Sequence, residues 1–109
     1  MDTKPIKELL QEVEQGAGVG RLADIAVQLT AYYAKLSEEF KDIEVFRADR
    51  WLDIRKDVKS DTMAEKTYLA TPEGKAWNTL RIQLKYIEKT ISSIKLRLKV
   101  AEGERYGAY

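Results

Sequence analysis

The sequence predicts an all-α protein: a long antiparallel helical hairpin with a short N-terminal helix, self-associating into a helical bundle. Three observations carry this. Trp77, Leu80, Leu84, Ile87, Ile91, Ile94, Leu98 and Ala101 step by three and four without a slip. Leu22, Ile25, Leu29, Tyr32, Leu36, Phe40 and Ile43 keep the same rhythm further upstream. Thr71-Pro72-Glu73 has the form of a helix start, with a capping hydroxyl, proline at the first helical position and an acid in the first turn. A strict heptad drifts about 20° per repeat on a straight helix, so each stripe stays covered only if its helix coils around another.

Taken in order, residues 1–20 form a short helix and a glycine-rich joint. Thr3 is the expected cap, Pro5 falls in the first turn, and Ile6, Leu9, Leu10 and Val13 share one face. Gly16, Gly18 and Gly20 then interrupt the chain as a flexible joint. No strand precedes them and no Gly-Lys-Ser/Thr follows, so they do not make a phosphate loop. Residues 21–109 form the hairpin domain, with helices expected over about 21–59 and 72–102. Beyond Ile43 the first of these shows apolar residues on several faces, which calls for more than one neighbour. Between them, Ser60 to Thr71 reads either as a bent continuation or as a separate short helix, with Thr62 and Glu65 at capping-box spacing. Gly103 is the expected stop of the last helix and Glu104 to Tyr109 a frayed tail.

Composition removes whole classes of chemistry. The 109 residues contain neither histidine nor cysteine. The usual neutral-pH base, thiol nucleophiles and the common zinc ligands are therefore missing. No apolar run approaches a membrane span and no leader pattern is seen, so the expected location is the cytoplasm, with no membrane partner. A carboxylate metal enzyme is the surviving catalytic option. Asp49, Asp53, Asp57 and Asp61 recur every four residues as an acidic ridge, and hard cations such as magnesium take oxygen ligands of this kind. They stand among Arg47, Arg50, Arg55, Lys56 and Lys59, and salt bridging is the favoured reading. The sequence thus predicts a non-enzyme with no cofactor, no bound metal and no small-molecule substrate.

Two basic features are candidates for binding nucleic acid or a partner. Arg47, Trp51, Arg55 and Lys59 form a ridge in which guanidinium groups flank an indole. The competing reading buries Trp51 in the core and pairs the arginines with aspartates. Arg81, Lys85, Lys95 and Lys99 form an edge along the last helix, whose stretch from Lys75 to Arg105 carries eight Lys/Arg against three Glu. Such an edge can follow a phosphate backbone, or can pair across the hairpin with Glu38, Glu39, Asp42 and Glu44.

Three stretches, Arg55-Lys56-Asp57-Val58-Lys59-Ser60-Asp61-Thr62, Ala70-Thr71-Pro72-Glu73-Gly74 and Ser93-Ile94-Lys95-Leu96-Arg97-Leu98-Lys99-Val100-Ala101, resemble small helical proteins of tailed phages and prophages. The resemblance spans about residues 31–106. It implies an accessory role, binding DNA or a DNA-processing protein in replication or recombination. The alternative is a helical protein–protein module, an adapter or an inhibitor of a host factor.

Overall fold

The computed structural model describes residues 4–106. Four helices and no strand are found among the described residues: α1 (Ile6–Glu14), α2 (Val19–Asp57), α3 (Asp61–Ala70) and α4 (Pro72–Tyr106). None is long and apolar enough to cross a membrane. The fold is all-α. The chain divides into two compact units, residues 1–34 with 85–109, and residues 35–84. This differs from a division at residue 20, because α1 packs into a unit with parts of both long helices.

In the first unit α1 supplies Leu9 and Val13, α2 supplies Leu22, Ile25 and Leu29, and α4 supplies Ile87 and Ile94, all buried. Polar contacts fix α1 at its edges. The Tyr86 hydroxyl donates to Glu14 (2.8 Å), the Tyr32 hydroxyl to the Lys4 carbonyl (2.8 Å), and Arg97 to the Val13 carbonyl (3.3 Å). Arg21 binds Glu12 at 2.6 Å and Asp24 at 2.6 Å. Hydrogen bonding from Arg21, aided by Lys4, holds the Glu12 carboxyl below its usual 4.5. The glycine segment is more ordered than a flexible joint. Gly16 adopts φ +83°, its N–H reaches the Val13 carbonyl and that of Ala17 reaches the Glu12 carbonyl. These are the paired bonds of a Schellman C-cap, in which a left-handed glycine ends the helix. The next helix begins at once, at Val19, and takes in Gly20. Thr3, the expected cap of α1, lies outside the described residues; Pro5 is the residue that precedes the helix.

In the second unit Ala64 and Tyr68 of α3 and Leu80 and Leu84 of α4 are buried. α3 is a separate helix, and its cap is Ser60, whose hydroxyl accepts from the Met63 N–H at 3.2 Å. The Thr62–Glu65 capping box does not form, because Glu65 faces Arg47 instead. Thr71 alone separates α3 from α4. Its hydroxyl donates to the Tyr68 carbonyl (2.6 Å) and accepts from the Gly74 N–H (3.0 Å), closing one helix and opening the next. This junction needs glycine at 74. A Cβ there would stand 1.9 Å from the Tyr68 carbonyl oxygen and 2.9 Å from the Leu69 Cα, both backbone atoms. Gly74→Ala must push the two helices apart, and a loss of about 2 kcal/mol or more is expected in a denaturant titration.

Two further bounds depart from the sequence reading. α2 ends at Asp57, two residues before Lys59, and α4 passes through Gly103 to Tyr106. A glycine near a terminus stops a helix only when the chain turns there, and here it continues. The expected frayed tail falls partly on residues 107–109, which lie outside the described residues.

Candidate functional site

The second unit gathers the densest set of polar and aromatic side chains. Arg47 falls where the apolar stripe of α2 would next place a hydrophobe, four residues after Ile43. Its guanidinium lies 4.3 Å from the centroid of the Trp77 ring and 5.3 Å from that of Tyr68. One of its nitrogens also binds both Glu65 oxygens, at 2.8 and 3.0 Å. Trp77 is held on several sides. Phe40 stacks at 6.2 Å with rings inclined 24°, and Tyr68 approaches edge-on at 6.3 Å and 67°. The indole N–H donates to Glu44. Arg81 lies 5.4 Å from the same ring and donates to the Asn78 side chain at 2.8 Å. Cation–π and offset aromatic geometries both lie in their favourable ranges. Burial pushes the Tyr68 phenol above its ordinary value, with Arg47 opposing the shift.

A groove of about 500 Å³ opens beside this cluster, lined by Ile43, Phe46, Arg50, Tyr68 and Ala76 with acids at its rim. Phe46 at its edge is 75% exposed. A second depression, about 680 Å³, runs past Phe40, Lys41, Trp77 and Arg81.

The structure separates the members of the predicted ridge. Arg47 is committed to Trp77, Tyr68 and Glu65. Arg55 is committed to Asp61 (2.7 Å) and to the Val58 carbonyl (2.9 Å). Trp51 is half-buried, so it is neither a fully buried core residue nor an indole flanked by free guanidiniums. Lys59 lies beyond the end of α2, off the helical face that the four-residue spacing assumed. The acidic ridge is broken at the same place. Asp57 ends α2, and Asp61 opens α3 and pairs with Arg55. Asp53 lies 3.8 Å from Lys56. Among the described residues, no group of three or more carboxylates is arranged to hold a metal.

The basic edge of α4 is divided too. Arg81 belongs to the aromatic cluster, whereas Lys85, Lys95 and Lys99 are exposed in the first unit and make no ion pair among the described residues. Among the described residues of the second unit, Arg81 forms no ion pair with Glu38, Glu39, Asp42 or Glu44. Glu44 serves the Trp77 indole instead.

The Arg47–Trp77 contact joins residues thirty positions apart, and local spacing carries no record of it. The available signal was an arginine on an apolar stripe. Such a residue needs both acceptors and a flat apolar surface. No family model matches the chain, and no curated protein or solved structure is detectably similar to it.

Proposed function

We propose that the protein is a non-enzymatic helical interaction module, acting in the cytoplasm. Its α2 and α4 run antiparallel as a hairpin, and its exposed apolar faces engage helices of other proteins, including a second copy. The observation that carries this is the exposure of Val45, Phe46 and Leu52 on α2, next to an apolar groove. Large apolar side chains exposed beside such a groove are characteristic of protein interaction sites. The pairings of α2 residues 40–47 with Trp77, and the joint burial of residues 22–29 with 87–94, support the hairpin.

A second reading is a phage-type accessory protein that binds DNA in replication or recombination. It is favoured by Lys85, Lys95 and Lys99, three exposed ammonium groups with no ion-pair partner. Arg81, on the same basic edge, is occupied by the Trp77 ring and the Asn78 side chain.

One experiment separates the two. Quantitative affinity capture from the native host is run beside electrophoretic mobility shifts on single- and double-stranded DNA at two salt concentrations. For the interaction module, Phe46→Glu should abolish capture of a partner that the wild type enriches, and DNA should not shift. For the DNA reading, DNA should shift with a steep salt dependence, and changing Lys85, Lys95 and Lys99 to glutamine should flatten it.

A further inference from the structure

We infer that α2 carries a second heptad seam, on the face away from the core, and that it pairs antiparallel with α2 of a second copy of this chain. The inference deepens the interaction-module reading and rests on it. The seam is Val27, Ala31, Ala34, Glu38, Lys41, Val45, Ala48 and Leu52, in steps of four and three throughout. Every one of these residues is exposed, with Val27 at 70%, Val45 at 67% and Leu52 at 55%. α2 is one uninterrupted helix from Val19 to Asp57, so the seam is a property of its own periodicity. It extends for about 38 Å. In a heptad frame, Ala31, Glu38, Val45 and Leu52 are a positions, and Val27, Ala34, Lys41 and Ala48 are d positions. The buried Leu22 and Leu29 and the half-buried Leu36 and Ile43 all fall at f, on the opposite side.

Sequence content decides the partner and the orientation. Antiparallel helices stack a against d of the partner. Centring a two-fold axis between Glu39 and Phe40 gives four kinds of layer: Val27 on Leu52, Ala31 on Ala48, Ala34 on Val45, and Glu38 on Lys41. The outer layers join larger side chains, and the inner ones join small residues that allow close approach. The central layer joins opposite charges, twice by symmetry. Flanking e positions continue the match, bringing Lys35 against Asp42 twice. Lys35, Glu38, Lys41 and Asp42 are all exposed, and none takes part in an ion pair among the described residues. A parallel pairing in register would instead set Glu38 on Glu38 and Lys41 on Lys41, a like-charge arrangement that disfavours it. The exposed stripe of α4 lacks this complementarity. Its Ile82, Tyr86, Leu96 and Val100 flank Lys89 and Ser93, and mirroring it sets Lys89 against Ser93 with no acid. The second copy therefore meets α2 with α2, and the polar central layer fixes the register at some cost in affinity.

The test is a charge swap followed by sedimentation equilibrium on the full chain. Glu38→Lys and Lys41→Glu should each raise the dimer Kd at least tenfold, by opposing like charges in the central layer. The double variant restores opposite charges and should return Kd to within about threefold of wild type. Both positions are exposed, so circular dichroism should be unchanged. Register is read by a short bis-maleimide, which meets no native cysteine. Ala34→Cys mixed with Val45→Cys should cross-link. Ala34→Cys alone should not, since its own copies lie about 16 Å apart along the axis. A dimer whose Kd ignores both single swaps, or in which Ala34→Cys cross-links to itself, overturns the α2 pairing and leaves other self-association standing. A chain monomeric to hundreds of micromolar overturns the pairing and self-association together. Capture of a different protein through Phe46 would then be the surviving form of the interaction module.

Discussion

Ile87→Asp should abolish the folded state of the first unit. Ile87 is 0% exposed, at the d position of the α4 seam, among side chains from α1 and α2. Removing a buried isoleucine costs about 2 to 5 kcal/mol through lost transfer energy and the cavity left behind. The new carboxylate adds a desolvation penalty of several kcal/mol, and all nearby core residues are apolar. The sum is comparable with the whole stability of a small protein, which lies at about 5 to 15 kcal/mol. Circular dichroism should show loss of most helix at 25 °C. A melting temperature equal to that of wild type would mean that this seam faces water.

Trp77→Ala is expected to have the next largest effect, about 3 to 5 kcal/mol. The indole is the surface on which Phe40, Tyr68, Arg47 and Arg81 meet, so its removal ends two aromatic contacts and two cation–π contacts together. It also leaves Glu44 without its donor. The Nε atoms of Arg47 and Arg81 are already buried without a hydrogen-bond partner, so both guanidinium groups depend on the ring for compensation. Trp51→Ala should cost much less, about 1 kcal/mol, because that ring, half-buried like Trp77, has no such neighbours. Denaturant melts of the two variants check the contrast. Equal losses would show that the Trp77 cluster adds nothing beyond area.

The long helices were legible because their stripes are long. Leu80, Leu84, Ile87 and Ile94 are buried, and Trp77, Ile91, Leu98 and Ala101 on the same stripe are half-buried, as the heptad required. The Thr71-Pro72 start was legible because capping chemistry is local. The capping-box spacing pointed to Thr62, whereas the cap is Ser60, because the end of α2 at Asp57 sets where α3 begins. Glu65 was assigned to a cap by the same spacing, whereas its true partner, Arg47, comes from another helix. Lys59 leaves the face shared by Arg47, Trp51 and Arg55 because four-residue spacing implies a shared face only while the helix lasts, and α2 ends at Asp57. Tertiary partners then claimed the two arginines. The division into units could not be read from the glycines, since Gly16 caps a helix that packs back onto the chain.

The placement of the two tryptophans makes the molecule its own optical reporter. Trp77 sits in an aromatic and guanidinium enclosure, and Trp51 lies half in water one residue from the end of the exposed α2 seam. Indole emission moves to longer wavelength as its surroundings become more polar. Trp77 therefore reports opening of the second unit, when its aromatic and charged neighbours are lost. Trp51 changes colour when something covers that stretch of α2. Trp51→Phe and Trp77→Phe isolate the two signals, so unfolding and docking are read separately without an added label.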